Sequence, residues 1–190
     1  MFINTLIFFF LLLIPTQLGR HFWPDFALLH GIRVDYLSPT IYLIDVVVII
    51  LIFLNLPKLR CKPSLFLLFV GINILVAENK LVAGLAWIRV VEIWAMYRIL
   101  KDNKELVKKY LFYIIPFWII LESGLGLLQI VKGGSLQGIF YWLGERRFNL
   151  NTVGVAKISL FGRETMRAYG TFSHPNSMAG FLLVVLELYK

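Results

Sequence analysis

The sequence predicts an all-α protein, a polytopic transmembrane helical bundle of about six spans with one long extracytoplasmic loop. Of 190 residues, 59% are hydrophobic and 16% charged, with 16 Phe and 5 Trp, too little polar surface to cover a soluble fold. Mean hydropathy is +0.78. Apolar runs recur at 2–17, 41–56, 64–77, 81–100, 110–131 and 176–189, and about 20 apolar residues are enough to cross a hydrocarbon core roughly 30 Å thick.

The first run has no Lys or Arg before it and no small-x-small pattern after it, so a retained first helix is expected rather than a removed signal peptide. The runs at 64–77 and 176–189 are short, and the last meets Lys190. The expected organisation is a five-span region over 1–131, an extracytoplasmic basic loop over 132–175, and over 176–190 the start of a sixth helix that is cut off. Orientation follows from the cationic connections, which are retained on the cytoplasmic side. Residues 57–63 carry Lys58, Arg60 and Lys62; residues 98–109 carry Arg98, Lys101, Lys104, Lys108 and Lys109 against Asp102 and Glu105. Both fall on one side if the runs alternate, which puts the N-terminus inside and 18–40, 78–80 and 132–175 outside. The net charge of +8 is then in part a topological signal. Basic residues split between two membrane faces exclude a nucleic-acid partner.

The single cysteine, Cys61, excludes an internal disulfide framework. No Cys/His cluster has zinc-ligand spacing, so no metal and no cofactor are expected. Cys61 reads as inert, and His21 and His30 as interfacial side chains.

Loops as long as 132–175 are uncommon without a job. This one holds Arg146, Arg147, Lys157, Arg163 and Arg167 against Glu145 and Glu164. Two readings stand: an anionic partner, or a solvated basic surface near anionic headgroups. Residues 136–143 (LQGIFYWL) predict a short interfacial helix. Residues 153–160 are rich in β-branched side chains and are expected to pair with 166–172 across a turn at 161–164. Pro175 suits a first helical turn, with Ser173 or Asn176 as cap. The positive end of that helix, with Arg167 as a bidentate cation and His174 as a donor, makes an anion site at headgroup depth. The alternative is that these residues only cap the helix and anchor Tyr169 and Phe172 in the aromatic belt.

Charges within the apolar runs form a second constellation. Arg89 and Glu92 share a helical face at i,i+3, and Glu122 falls near the middle of the fifth run. They are expected to neutralise one another, either as a register-fixing ion pair between helices or as a polar path. Asp45 is expected to face headgroup water. Ser123, Gly124 and Gly126 are expected to let helices approach closely.

Residues 167–182, RAYGTFSHPNSMAGFL, resemble the Arg-x-x-Gly-(Thr)-Phe-x-(His/Asn)-Pro-Asn segment of the O-antigen ligase and O-antigen polymerase superfamily. Residues 15–23, 35–45 and 138–162 look like parts of the N-terminal portion of a bacterial member. The resemblance implies a metal-independent glycosyltransferase that moves a glycan from an undecaprenyl-pyrophosphate carrier to an acceptor on the outer face of the inner membrane. It implies Arg167 as the principal diphosphate-binding residue, with His174 and Asn176 shaping the site and Arg146, Arg147 and Arg163 as weaker candidates. The implied partners are the bilayer and a polyprenyl-pyrophosphate-linked glycan. Family members carry more helices, and a later loop with a histidine base has no counterpart before Lys190, so this chain alone is expected to be catalytically incompetent. The rival reading is a transporter or lipid-binding scaffold that grips a phosphorylated lipid without turnover.

Overall fold

The computed structural model describes residues 2–34, 37–59, 65–160 and 162–189; Arg60, Cys61, Lys62 and Phe161, on which parts of the sequence reading fall, lie outside them. The chain forms two compact units, Met1–Ile7 with Gly19–Lys104, and Phe8–Leu18 with Glu105–Lys190. Helix α1 (Phe2–Leu13) contributes to both.

In the first unit, strand β1 (Gly19–His21) pairs antiparallel with β4 (Thr40–Tyr42), Gly19 opposite Tyr42. A Cβ on residue 19 would strike the Tyr42 ring. Between them β2 (Leu28–Leu29) and β3 (Ile32–Arg33) make a hairpin whose two turn residues, His30 and Gly31, both have positive φ. That backbone matches the twist of paired strands. Helix α2 (Leu43–Asn55) leaves β4 directly, and the Asp45 carboxylate accepts the Tyr42 N–H at 2.7 Å, which satisfies a donor at the helix start. Helices α3 (Leu65–Val76) and α4 (Lys80–Asp102) follow. Asn79 Oδ1 caps α4 by accepting the Val82 N–H at 3.1 Å, and α4 packs against both α2 and α3.

The second unit is built on α5 (Lys104–Lys132). Its buried side chains, Ile114, Ile115, Trp118, Glu122, Leu125, Gly126 and Gln129, recur at helical spacing on one stripe. Phe112, Phe117, Ile120, Leu127 and Val131 are exposed. Then come a four-residue helix α6 (Ile139–Trp142), strands β5 (Lys157–Leu160) and β6 (Arg163–Met166), and α7 (Pro175–Tyr189).

This architecture corrects the expected fold class. The protein is not all-α, since it contains three two-stranded antiparallel sheets, and it is not a six-span bundle. Among the described residues one helix, α5, is long and apolar enough to cross a membrane. The runs at 2–17, 41–56 and 64–77 form helices of 12, 13 and 12 residues, each no more than about 20 Å long at 1.5 Å per residue. Apolar content extended past the helix ends: α1 stops at Leu13, two residues before Pro15, and α2 at Asn55, whose backbone leaves helical geometry before a short 3-10 turn over Leu56–Lys58 that contains Pro57. Helix α4 is longer, but Lys80, Arg89, Glu92, Arg98, Lys101 and Asp102 lie along it. Residues 132–175 share a unit with α7 and with α5 from Glu105 onward.

The 153–172 hairpin forms, with a different partner strand. Lys157 pairs with Met166 and Leu160 with Arg163, and Gly162, just before the second strand, has the positive φ of 76 that tight hairpin connections favour. The strand opposite 157–160 is therefore 163–166, not 166–172.

Gly126 and Gly124 separate close packing from mere smallness. A Cβ at 126 would sit 2.9 Å from Met178 Cε and 3.0 Å from Ala168 Cβ, whereas one at 124 meets nothing within 4 Å. Gly126→Val is expected to destabilise the protein by about 1–3 kcal/mol through overpacking. Gly124→Ala is expected to be neutral or to stabilise it by up to about 1 kcal/mol through helix propensity. Denaturant titration of the detergent-solubilised protein, followed by circular dichroism, checks both.

Candidate anion-binding site

Three buried polar side chains fold residues 133–175 onto α5. Glu122 and Gln129 are seven residues apart, about two helical turns, and so share a face; each is 0% exposed. Gln129 Nε2 donates to the Gly170 carbonyl at 2.8 Å and to Glu145 Oε1 at 2.9 Å. Its Oε1 accepts the Tyr169 and Gly170 amides at 3.1 and 2.9 Å. Glu122 Oε2 accepts the Thr171 amide at 2.9 Å. The Thr171 hydroxyl shares its single proton between Glu122 Oε1 at 2.7 Å and the Pro15 carbonyl at 3.1 Å. Glu145, 2% exposed, accepts the amides of Leu136 and Gln137. Buried polar groups cost little only when paired, and here the amides at 169–171 find their partners on a helix instead of in a strand ladder. Gly170 has φ 59, and a Cβ there would collide with the Glu122 carboxylate. That collision is the physical reason for glycine in the RAYGTF segment.

Beyond this clamp the chain enters α7 at Pro175, as the sequence predicts. Arg167 Nη2 donates to Asn176 Oδ1 at 3.1 Å, which joins two of the expected site residues across the first turn. The cap differs from the expected one: the Asn176 N–H donates to His174 Nδ1 at 3.2 Å, so His174 caps the helix rather than Ser173 or Asn176. A neutral imidazole that accepts at Nδ1 carries its proton on Nε2, which makes His174 a donor toward solvent.

Arg146 and Arg147 are both exposed and line a cleft of about 220 Å³ with Phe148, Thr152, Val155, Tyr169 and Ser173. Tyr169 connects the two groups. Its hydroxyl accepts the Ala156 N–H at 2.7 Å, its ring packs on Phe148 with centroids 4.7 Å apart, and it meets the His174 ring edge-on at 6.4 Å. Arg163 lies exposed at the hairpin turn opposite Leu160 and is not part of the cleft lining. The two carboxylates of the segment are turned to other partners, Glu145 inward to the clamp and Glu164 to Lys157 at 3.1 Å. Among the described residues no group of three His, Cys, Asp or Glu side chains is placed to hold a metal ion.

The expected network of Arg89, Glu92 and Glu122 divides in two. In the first unit Arg89 donates from Nη1 to Glu92 at 2.9 Å and to Asp45 Oδ1, and from Nη2 to Asp45 Oδ2 at 2.8 Å and the Thr40 carbonyl at 2.7 Å. Glu122 takes its partners from Thr171 in the second unit. Asp45, expected to face water, is buried and is the main counterion of Arg89. Sequence reasoning missed Gln129 and Glu145 as well. The available signal was two polar side chains, Glu122 and Gln129, on one face of an otherwise apolar helix.

Gly170→Ala is expected to cost more than about 2 kcal/mol and to expose the segment to trypsin at Arg163 and Arg167. Glu122→Gln is expected to keep it protected, since a carboxamide accepts the Thr171 amide and donates to its hydroxyl. Glu122→Leu strands the Thr171 donors and is expected to cost about 1–3 kcal/mol. Limited proteolysis of the three variants orders them. In the first unit, Arg89→Leu leaves two carboxylates facing each other and is expected to lower the midpoint of denaturant unfolding more than Glu92→Gln does.

Comparison of the chain with protein-family models, curated proteins and solved structures finds no match. The resemblance of residues 167–182 therefore rests on those residues alone.

Proposed function

We propose that the second unit grips the diphosphate of a polyprenyl-linked glycan at the outer surface of a bacterial inner membrane. In this reading the chain serves glycan transfer in the manner of the O-antigen ligase and polymerase superfamily that residues 167–182 resemble. The observation that carries the reading is the Arg167–Asn176 pair at the first turn of α7, held by the Glu122 and Gln129 clamp beside a cleft lined by Arg146 and Arg147. Guanidinium groups, a donor at His174 Nε2 and the positive end of a 15-residue helix all favour a phosphate oxygen. When a sugar leaves a diphosphate, negative charge grows on the leaving oxygen, and cations fixed in place beforehand lower that barrier without needing to reorganise. The charge flanking α5 supports an outward-facing site. Arg98, Lys101, Lys104, Lys108 and Lys109 precede or open the helix, against Lys132, Arg146 and Arg147 at or beyond its end, so the end that leads into the cleft is the one exported.

One observation favours a second reading, binding without turnover: the cleft lining contains no carboxylate and no histidine, hence no general base within it. The two readings part on activity and agree on the ligand.

The purified chain in mixed phosphatidylcholine vesicles is expected to bind undecaprenyl diphosphate more tightly than undecaprenyl monophosphate, with affinity falling as salt rises. Arg167→Ala is expected to weaken diphosphate binding roughly tenfold to hundredfold, the loss of one charge-assisted contact worth about 1.5–3 kcal/mol, with membrane insertion intact. Arg146→Ala with Arg147→Ala is expected to remove most of the preference for two phosphates. Equal affinity of wild-type protein for the mono- and diphosphate would overturn the reading. Glycan release from an undecaprenyl-diphosphate-linked glycan supplied in such vesicles would exclude binding without turnover.

A further inference from the structure

Helix α6 presents an apolar surface that nothing within its unit covers. Ile139 is 73% exposed, Tyr141 52% and Trp142 69%, three large side chains within four residues. They are not on a loose loop. Lys132, the last residue of α5, donates from Nζ to the Ser135 carbonyl at 2.9 Å. Residue 134 bridges to Asn149, and the Ser135 amide donates to the Phe148 carbonyl at 2.9 Å. The buried Glu145 accepts the Leu136 and Gln137 amides just before the helix, and its own amide donates to the Phe140 carbonyl at 2.9 Å just behind it. Glu145 is in turn fixed to α5 by Gln129. Positive φ at Gln137 and Gly138 turns the chain into α6 at this point. The aromatic tip is therefore fixed to the end of the membrane-crossing helix candidate by a continuous set of hydrogen bonds.

We propose that Ile139, Tyr141 and Trp142 insert into the headgroup layer of the bilayer at the end of α5 and set the depth at which the basic cleft meets lipid phosphates. The occupant follows from continuity with α5. A rigid surface that starts seven residues past the end of a bilayer-length apolar helix lies at the boundary that the helix has just reached. Tyr and Trp are the side chains that favour that boundary, because each joins an apolar ring to a polar handle. The flanking charge agrees: Lys132 on one side and Arg147 on the other are exposed cations, matched to anionic headgroups. The inference rests on α5 crossing the membrane, and the experiment separates the two.

The full chain carrying Cys61→Ser is given one new cysteine, Trp142→Cys or Tyr141→Cys at the tip, or Ile120→Cys on the exposed face of α5. Each is labelled with an environment-sensitive nitrobenzoxadiazole and reconstituted in vesicles of phosphatidylcholine and phosphatidylglycerol. Both tip labels are expected to emit at blue-shifted wavelength and to be quenched more by a nitroxide near the headgroup than by one deep in the acyl chain, and the Ile120 label the reverse. Tip labels that emit as in water beside a deeply quenched Ile120 label would overturn the inference and leave the membrane-spanning reading standing. Unquenched labels at all three positions would remove both. A tip shift that vanishes as protein is diluted in lipid would mean that a second copy covers the patch, and would also overturn the inference.

Discussion

Two polar side chains on one apolar helix decide how the second unit is built. Gln129 and Glu122 present, from positions two turns apart on one stripe of α5, the acceptors and donors that the backbone at 169–171 would otherwise lack. Irregular backbone beside a bilayer-length helix is tolerated only where its amides and carbonyls are satisfied by protein, and here that requirement is met by a carboxamide and a carboxyl. Everything the segment displays depends on it. The glycine conformation at 170, the turn into α7, the pairing of Arg167 with Asn176 and the placing of Tyr169 between two basic groups are all downstream of the same four contacts. A fully satisfied buried network is rigid because each member is fixed by the others, which gives a binding surface defined positions for its cations.

How much of this was legible in the sequence depends on the range of the interaction responsible. The start of α7 at Pro175 was legible, since proline's missing donor and fixed φ act on its immediate neighbours. The presence of a hairpin near 157 was legible from β-branched residues, while its register was not: the partner strand is 163–166, entered directly from Gly162 at positive φ. The six spans failed for a different reason. Counting apolar residues measures the length of a run, and helix length is set by where the backbone breaks, at Pro15 and at Asn55-Leu56-Pro57. The pairing of β1 with β4 left no periodicity to read, with three residues in each strand.

The charged residues give the same lesson in three dimensions. Arg89 and Glu92 are neighbours on one helix, and their ion pair followed from spacing alone. Asp45 is 44 positions away from Arg89 along the chain, and its role emerges only once α2 packs against α4. Assigning Glu122 to Arg89 was reasonable bookkeeping for charges in apolar helices, yet a carboxyl group can be satisfied by hydrogen bonds instead of by an opposite charge. Glu122 finds a threonine amide and hydroxyl. The first unit correspondingly closes its own charge cluster, with two carboxylates and a backbone carbonyl around a single guanidinium.

The same argument clarifies the chemistry of the basic face. By sequence, six cations of residues 132–175, Lys132 among them, stand against two carboxylates. Glu145 is drawn inward, where its oxygens receive the side-chain amide of Gln129 and two backbone amides, and Glu164 is occupied at the far end of the hairpin by Lys157. The group that makes the loop look less basic in sequence is the group that anchors it in structure, so one residue both builds the scaffold and withdraws negative charge from the cleft. The acidic side chains of the segment thus already serve contacts within the fold, Glu145 to α5 through Gln129 and Glu164 to Lys157 across the hairpin.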